Sequence, residues 1–373
     1  MKTYTAIISD IHLHNFRAFG GKSCAGINGR AQLVLDTLQD AFHVAELSEV
    51  TDMFILGDLF ETTRPEPQLI AAVGQVFTTT NMMIHILVGN HEQCSTQQGD
   101  HALGPLELLR NVDVIDTPRR VWPSCLPTLA LPFTPEEPLD ALRTLFSNTS
   151  WPDQATPRML LMHEGIRTKD TPAFIPGGIG FSALQDLCEE NEIKYALSGH
   201  WHEHMCQHML TGKDETMICQ VGALCPRSFQ DSADPQFYGK LAMLGDGAVS
   251  TVTIPGPRFI KATSFDDLDV QRMKCGEDDT IYVRLFRPAE EMTASHKVME
   301  EYVVKNGLAG GEVVPVAVDT TTLVEETAEV IRRATEGIEH TLHIYVELTL
   351  VNKPVEFREL VEARVLESLK AAT

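Results

Sequence analysis

Short polar motifs follow the ends of several apolar runs in this sequence, and no other feature constrains the fold as strongly. The runs have the length and aliphatic composition of buried strands and span residues 5–9, 53–56, 83–88, 159–162 and 195–197. The motifs that follow them are, in order, Asp10-x-His12, Gly57-Asp58, Gly89-Asn90-His91-Glu92, His163 and Gly199-His200-x-His202. Because strands of an open α/β sheet end at a shared edge, we expect these side chains to converge. The pattern predicts an α/β fold with one polar site.

The stretches between these motifs predict the rest of the first domain. Apolar residues at helical spacing predict a helix over 29–48. Strand-like runs at 217–224, 240–244 and 248–254 predict a second sheet, with a hairpin turn at 245–247. We therefore predict a first domain of residues 1–262 and a linker of residues 263–279, where Pro and Gly and then acidic residues break the pattern.

Residues 280–373 again alternate strand-like and helical patterns, which predicts a smaller C-terminal α/β domain. The predicted elements are strands at 281–286, 313–318 and 343–350 and helices at 289–305, 324–333 and 355–369. The last helix carries an apolar stripe. The stripe packs on its own small sheet or docks on a partner, and the pattern leaves both interpretations open.

The composition indicates a globular cytoplasmic protein. The chain has 373 residues, of which 43% are apolar, so it can bury a large core. No segment approaches the roughly 18 apolar residues of a membrane-spanning helix, so no membrane association is expected. Its eight cysteines contain no Cys-x-x-Cys pair, which favours free thiols over disulfides or a zinc site.

The formal net charge of −22 argues against a general electrostatic attraction to nucleic acid. One local exception follows the first motif. Arg17, Lys22 and Arg30 lie in a Gly-rich stretch without acidic residues. These three residues are candidates for DNA contact beside the polar site, and an ordinary surface loop is the alternative interpretation.

The polar residues divide into two candidate metal sites. One set comprises Asp10, His12, Asp58 and His202, and the other comprises Asn90, His163 and His200, with Asp58 placed to bridge them. Mixed oxygen and nitrogen ligands suit Mn²⁺, Fe²⁺ or Zn²⁺. Two such cations together can activate water and stabilise a phosphoryl transition state. The sequence therefore predicts a phosphoesterase with two divalent metal ions.

His91 follows Asn90 in a turn, where adjacent side chains point in different directions. It is a candidate catalytic residue that protonates the leaving oxygen or stabilises the transition state without binding metal. Glu61 and Glu92 flank predicted ligands, and they either hydrogen-bond to those ligands or are exposed carboxylates.

Together the motifs resemble those of the calcineurin-like metallophosphoesterase superfamily. The wording Ser9-Asp10-Ile11-His12-Leu13, Gly57-Asp58-Leu59-Phe60, Val88-Gly89-Asn90-His91-Glu92 and Met162-His163-Glu164-Gly165 further resembles the nuclease subunit of double-strand-break repair complexes, the SbcD-like exonucleases and their phage relatives. So does the downstream pattern from Gln220-Val221-Gly222-Ala223 to Arg227-Ser228-Phe229. Glu92 stands where an aspartate is commoner in that branch.

The resemblance implies a two-sheet metallophosphoesterase sandwich flanked by helices, with the C-terminal domain as a cap that shapes a DNA cleft. It implies a Mn²⁺-dependent DNA exonuclease and endonuclease of recombination and repair, which forms a homodimer and works with an SbcC-like coiled-coil ATPase subunit. The residues carried over as metal ligands are Asp10, His12, Asp58, Asn90, His163, His200 and His202, with His91 catalytic.

Two other functions fit the same motifs. The first is a metallophosphoesterase acting on a small phosphodiester or phosphomonoester, although about 100 residues beyond the core favour a larger substrate. The second is a scaffold that kept the fold and lost catalysis. The complete set of chemically competent residues argues against the scaffold.

Overall fold

The computed structural model describes residues 4–95, 97–123, 126–135, 137–147, 158–169, 171, 177–211, 214–231, 234–245 and 248–316. The predicted elements at 324–333, 343–350 and 355–369 lie outside the described residues. The chain divides into two compact units, Met1–Arg287 with Glu291–Val314, and Pro288–Glu290 with Pro315–Thr373. The sheets and cores below belong to the first unit, apart from Pro315 at the end of the last strand.

The helices and strands of the described residues alternate along the chain as expected. The helices are α1 Gly29–Leu47, α2 Pro67–Thr78, α3 Pro138–Ser147, α4 Phe181–Glu190, α5 Phe265–Arg272 and α6 Met292–Lys305. The strands are β1 Tyr4–Ile8, β2 Ser23–Cys24, β3 Ile27–Asn28, β4 Val50–Ile55, β5 Met83–Leu87, β6 Val112–Ile115, β7 Arg119–Val121, β8 Thr128–Leu131, β9 Met159–Met162, β10 Ile166–Arg167, β11 Ile179–Gly180, β12 Tyr195–Ser198, β13 Met205–Thr211, β14 Asp214–Gln220, β15 Lys240–Gly245, β16 Ala248–Thr253, β17 Pro257–Ala262, β18 Thr280–Arg287 and β19 Gly310–Pro315.

Two six-stranded mixed sheets form the centre of the molecule. The first has the strand order β16-β15-β1-β4-β5-β6, and the second has the order β13-β14-β12-β9-β8-β7. In the first sheet, β1, β4, β5 and β6 run parallel. In the second sheet, β8, β9, β12 and β14 run parallel. The strands that precede the predicted ligands therefore end at one edge of each sheet.

The two sheets pack face to face, and helices cover their outer faces. In β1, Ile7 belongs to the apolar core between the sheets, whereas Ala6 and Ile8 face α1 and α2. This alternation follows the two-residue period of a strand with both faces buried. Helices α3 and α4 cover the outer face of the second sheet. The prediction of an α/β fold with two sheets flanked by helices is confirmed.

The strands of residues 214–253 were predicted to form a second sheet. In the structure they are divided between the two central sheets instead. β14 joins β12 in the second sheet, whereas β15 pairs antiparallel with β1 in the first. Strand β1 pairs with β4 on one side, and its other side would be an unpaired sheet edge. The β15–β16 pair covers that edge. The turn between β15 and β16 at residues 246–247 lies outside the described residues.

A smaller sheet follows the β15–β16 pair along the chain. It has the order β17-β18-β19, with β17 and β18 parallel, and its core includes Leu268 of α5 and Met299 of α6. The stretch predicted as a linker thus contains helix α5. The Ser264 side chain accepts a hydrogen bond from the Asp267 backbone N–H and caps this helix. The acidic composition of the stretch had favoured a linker over a helix. The predicted domain boundaries stay a prediction.

Within the described part of the chain, no helix is both long enough and apolar enough to cross a bilayer. Cys188 and Cys225 are buried free thiols, as the cysteine spacing predicts.

Candidate metal centre

The predicted ligands meet where parallel strands of both sheets end. Asp10 follows β1, Asp58 follows β4 and Asn90 follows β5 in the first sheet, whereas His163 follows β9 and His200 follows β12 in the second. The side chains of the two sheets face each other across this edge, because the carboxyl ends of both parallel sets lie on the same side. The convergence inferred from the sequence is therefore present.

The first cluster consists of Asp10, His12 and His202, whose ligand atoms all lie within 4.8 Å of one another. His12 Nε2 lies 3.0 Å from His202 Nε2 and 3.8 Å from Asp10 Oδ1. Asp10 is buried, and its carboxylate also accepts a hydrogen bond from the Ser9 hydroxyl. Two imidazoles and one carboxylate thus point at a common position.

The second cluster consists of Asp58, His163 and His200, and Asn90 completes it. Asn90 Oδ1 lies 3.1 Å from His163 Nε2 and 3.0 Å from His200 Nδ1. The Asn90 oxygen is therefore shared between two imidazole nitrogens. This arrangement matches the second of the two predicted ligand sets.

Asp58 lies between the clusters. Its Oδ2 atom is 3.4 Å from His163 Nε2 in the second cluster and 3.7 Å from His12 Nε2 in the first. Its Oδ1 atom accepts a hydrogen bond from the His91 backbone N–H, which fixes the carboxylate. A single carboxylate oxygen therefore faces both sets of ligands, as a bridging ligand requires.

The Nδ1 atoms of two predicted ligands face carboxylates, and this determines which nitrogen is left for metal. His12 Nδ1 lies 2.8 Å from Glu61 Oε2, and His202 Nδ1 lies 3.1 Å from Asp231 Oδ1. A proton at Nδ1 leaves Nε2 with its lone pair directed into the centre, which is how an outer carboxylate orients a ligand histidine. His163 follows the same pattern, since its Nδ1 contacts the Leu56 carbonyl oxygen.

The geometry of these rings fits the binding of cations. With protons at Nδ1, the Nε2 lone pairs of His12 and His202 face each other at 3.0 Å, which is repulsive unless a cation lies between them. The carboxylates of Asp10 and Asp58 are buried beside them, and buried charge requires compensation. Imidazole, carboxylate and amide oxygen together form a donor set for Mn²⁺, Fe²⁺ or Zn²⁺. The residues therefore fit a dinuclear metal site.

The backbone at the centre adopts an uncommon conformation. Asp10, His12, Asp58 and His200 all have positive φ, between 50° and 78°. Such non-glycine residues cost of order 1–3 kcal/mol each and cluster at functional sites. Four of the predicted ligands are thus held in strained backbone by the surrounding packing.

The glycines of the motifs are required by close approach. A Cβ at Gly57, where φ is +88°, would collide with the His163 ring, and a Cβ at Gly89 would collide with the Asp58 carboxylate. Both glycines lie directly before a ligand. Their absence of a side chain lets the ligands of the two sheets approach each other.

Glu92 supports the centre from behind and is not exposed. Its buried carboxylate accepts hydrogen bonds from the backbone N–H groups of Asp58, Phe60 and Gly89. Burial and the nearby Asp58 carboxylate raise the pKa of Glu92 to about 8. Of the two interpretations of Glu92, the structure favours the hydrogen-bonding one, because this side chain joins the two motifs that carry Asp58 and Asn90.

The titration behaviour of the protein groups reflects their crowding. Burial opposes ionisation of Asp58, but the adjacent His163 outweighs burial and lowers the pKa of this carboxyl. Burial likewise opposes protonation of His163, but Asp58 raises the pKa of His163 to about 10. For His200, burial and then the charge on His163 lower the pKa to about 4. The carboxylate between the clusters is therefore an anion throughout the physiological range.

His91 lies at the open side of the centre with about a quarter of its side chain exposed. Its Nδ1 is 2.8 Å from the Glu61 carbonyl oxygen, and its Nε2 is 4.0 Å from Asp58 Oδ2. His91 also forms a group of suitable geometry with His12 and Asp58. The structure thus places it near a ligand carboxylate and accessible to a bound molecule.

The three candidate DNA-contacting residues are not equivalent. Arg17 and Lys22 are exposed, whereas Arg30 is buried. The Arg30 guanidinium lies 3.8 Å from the centroid of the Phe16 ring and donates to the Ala18 and Arg227 carbonyl oxygens. A guanidinium held in this way does not suit contact with a phosphate backbone. Charge patterning alone does not distinguish a buried arginine from an exposed one.

The sequence analysis did not identify two residues that support the site, Asp231 and Ser9. Asp231 orients His202, and its Oδ2 accepts hydrogen bonds from the Arg227 and Ser228 backbone N–H groups. Ser9 donates to Asp10 and to the Leu56 carbonyl oxygen. Asp231 does not follow an apolar run, so the rule that found the ligands does not reach it.

Comparison with known proteins agrees with this geometry. The model of the calcineurin-like phosphoesterase family matches residues 4–204, more than half of the chain. The chain therefore belongs to the calcineurin-like phosphoesterases, and it is a metal-dependent phosphoesterase with a candidate dinuclear site. The predicted membership of this superfamily is confirmed. No curated protein sequence is significantly similar to the chain.

Two solved structures are similar at low identity. One shares 12% identity, covers 68% of this chain and 100% of its own, and has a TM-score of 0.41. The other, TT1561 of Thermus thermophilus, shares 13% identity, covers 68% of this chain and 99% of its own, and has a TM-score of 0.40. At these values neither structure bears on what the chain acts on.

Proposed function

We propose that this chain is a dinuclear-metal-dependent nuclease that hydrolyses phosphodiester bonds in DNA. The observation that carries the proposal is the position of Asp58, whose Oδ2 atom lies within 3.7 Å of His12 Nε2 and 3.4 Å of His163 Nε2. A bridging carboxylate of this kind holds two cations close together. Such a pair, when bound, neutralises phosphate oxygens and lowers the pKa of water.

In this proposal the residues of the site bind metal, orient the ligand imidazoles or donate a proton. Asp10, His12 and His202 hold one side of the centre, and Asn90, His163 and His200 hold the other. Glu61 and Asp231 orient the imidazoles of the first side. His91 is exposed enough to reach a substrate. With both ring nitrogens protonated, it would transfer the Nε2 proton to the leaving oxygen and keep the Nδ1 proton that faces the Glu61 carbonyl oxygen. Asp10, Asp58 and His163 are buried and form the floor of the site.

The proposal that DNA is the substrate rests on the residue sequence of the motifs, which resembles that of the SbcD-like nucleases, and on two features of the structure. Exposed Arg17 and Lys22 lie in the loop that follows the first ligands. The described chain also continues past the two central sheets and adds the sheet of β17, β18 and β19. A small phosphodiester requires neither feature.

We further propose that Mn²⁺ is the working metal and that the chain forms a homodimer that works with an SbcC-like ATPase subunit in recombination and repair. The C-terminal residues 280–373 are the proposed cap and the site of partner binding. Co-purification of an ATPase with the full chain, and its loss when residues 317–373 are removed, would support this assignment. An ATPase retained by the shortened chain would contradict it.

The test of the nuclease proposal compares two substrates. The wild-type protein with Mn²⁺ should degrade linear DNA and also hydrolyse a nitrophenyl phosphodiester, and Asp58→Asn should do neither. Hydrolysis of the nitrophenyl compound alone would instead favour a phosphoesterase of small substrates, an alternative that the net charge of −22 supports.

A further inference from the structure

A basic cavity of the described structure has none of the predicted metal ligands in its walls. It has a volume of about 550 Å³, and its walls include Lys240, Arg258, Lys274, Thr251 and Thr253. These residues come from the β15–β16 pair, the start of β17 and the segment after α5. A concentration of cations is unexpected in a chain with a net charge of −22, and it calls for a physical reason.

The charge of this cavity is not neutralised from within. Asp279 is the carboxylate among the described residues that line the cavity, and it is already engaged. It lies 3.1 Å from Arg258 Nη2 and accepts hydrogen bonds from the Gly256 and Gly276 backbone N–H groups. Asp279 therefore compensates Arg258, and the two lysines remain as surplus positive charge.

Lys240 is held at the cavity wall at an energetic cost. Its Nζ donates a 2.9 Å hydrogen bond to Thr253 Oγ1 across the β15–β16 pair, and Thr251 lies on the same face of β16. Burial and the nearby Arg258 both disfavour the charge on Lys240 and lower its pKa. Lys240, with Lys274 on the same cavity wall and threonine hydroxyls beside it, forms a suitable site for an anion such as a phosphate group.

The basic cavity adjoins a second cavity at the metal centre. This second cavity, of about 820 Å³, is lined by the ligands His200 and His202. His204 and Phe237 line both cavities, and they are joined by a hydrogen bond from the His204 backbone N–H to the Phe237 carbonyl oxygen. The two cavities therefore meet at His204 and Phe237, and an extended molecule at the metal centre would cross this boundary to reach Lys240.

We propose that the basic cavity is a second phosphate subsite, which binds a backbone phosphate of the same polynucleotide strand whose scissile phosphodiester lies at the metal centre. The inference rests on the proposed nuclease function, and it specifies the substrate as a polymer long enough to span both cavities. A nitrophenyl phosphodiester or a dinucleotide occupies the metal centre without reaching the subsite.

The test removes the surplus charge and measures the dependence on substrate length. The variant is Lys240→Gln/Lys274→Gln, and the matched control is Arg110→Gln/Arg143→Gln, which removes the same charge from exposed positions outside the proposed cap. Each protein is assayed on single-stranded oligonucleotides of about 2 to 16 nucleotides and on the nitrophenyl phosphodiester. The ratio of the two kcat/KM values corrects for metal loading and for folded fraction.

We expect this ratio to fall about tenfold for long oligonucleotides in Lys240→Gln/Lys274→Gln, to change little for the dinucleotide, and to stay at the wild-type value in the control. The slope of log KM against log salt should decrease by about one for each lysine removed. Lys274 is exposed, so Lys274→Gln alone provides a variant with little risk to folding, and it should show about half of the change in slope.

Three results would overturn the inference. An equal ratio in variant and control would remove the subsite while leaving the nuclease proposal intact. A shift of Tm by inorganic phosphate that is lost in Lys240→Gln/Lys274→Gln, with oligonucleotide kinetics unaffected, would identify a site for free anions. A wild-type protein that hydrolyses the nitrophenyl compound and no oligonucleotide would refute the nuclease proposal itself.

Discussion

Two clusters of histidine and aspartate among the described residues are built from the same residue types but differ in geometry. One is the metal centre at the strand ends, and the other is the His85 cluster of Asp52, His85 and Asp113 within β4, β5 and β6. In the His85 cluster, Nδ1 lies 2.9 Å from Asp113 Oδ2 and Nε2 lies 3.4 Å from Asp52 Oδ1. Both ring nitrogens therefore face carboxylates, and Arg119 of β7 lies 2.5 Å from Asp113.

In the metal centre, the Nδ1 atoms of His12 and His202 each contact a carboxylate, whereas their Nε2 atoms lie 3.0 Å from each other. The Asp10 and Asp58 carboxylates lie farther from His12 Nε2, at 3.8 Å and 3.7 Å. The difference lies in the backbone. Regular strand geometry alternates side chains and sets His85 between neighbours on flanking strands, whereas the left-handed φ of Asp10 and Asp58 turns their side chains into a common space. The same residue types thus form a self-neutralised cluster within strands and a cation site beyond strand ends.

The largest effect expected from this contrast is that of Asp58→Asn. Loss of the shared carboxylate should abolish binding of both metal ions and reduce kcat/KM on a nitrophenyl phosphodiester by more than the roughly 10²- to 10⁴-fold that one general acid supplies. The matched control is Asp52→Asn, which makes the same change in the His85 cluster. This control should lower Tm and keep the metals, so metal loss in both variants would contradict the distinction.

His91→Ala should have the next largest effect. Because His91 is placed as a proton donor, the variant should retain both metals and lose on the order of 10² to 10⁴ in kcat. Metal analysis of the dialysed protein and steady-state kinetics give the two measurements. Loss of a metal ion in this variant would show that His91 acts as a ligand in the group with His12 and Asp58.

The carboxylates that orient the ligands should have a smaller effect. Asp231→Asn and Glu61→Gln should each reduce metal affinity by about 10- to 100-fold, because the Nδ1 proton of His202 or His12 loses its anionic acceptor. Isothermal titration with Mn²⁺ measures this change. Asp113→Asn, which removes the equivalent partner of His85, should leave the affinity at its wild-type value, and an equal loss there would indicate a general effect on stability.

The smallest effect is expected for the pH dependence of stability at His85. Burial lowers its pKa, but the hydrogen bonds to Asp113 and Asp52 outweigh burial and raise the pKa above 6.5. The folded protein therefore binds this proton more tightly than the unfolded chain does, and the stabilisation is complete below about pH 6.5 and is lost as pH rises through the raised value.

Thermal unfolding of the wild type and His85→Gln between about pH 5.5 and pH 9 tests this sign. The difference in Tm should be largest near the acidic end and should decrease toward the alkaline end. A difference that grew with pH would mean that His85 is neutral in the folded protein.

The metal ligands were predictable from the sequence because their signal is local. Asp10 and His163 directly follow an apolar run, and Asp58 follows one after a single glycine, so strand and candidate ligand could be read together. The two-sheet fold followed from the same runs and from the resemblance. The fold and the convergence of seven candidate ligands could therefore be predicted before any distance was known.

The supporting contacts were not predictable, because they depend on tertiary packing. Asp231 meets His202 only after β14 returns the chain to the second sheet. Arg30 looks like a surface cation in sequence, yet it is buried. The helix α5 was hidden in an acidic stretch interpreted as a linker, and its Ser264 cap is a single-residue signal.

The central claim is that Asp58 joins two cation sites, and a Mn²⁺ titration of the wild-type chain followed by electron paramagnetic resonance tests it most directly. We predict two Mn²⁺ bound per chain with a spectrum of magnetically coupled ions, and the same result for His85→Gln. Binding of none, or of isolated uncoupled ions only, would contradict a centre bridged by one carboxylate.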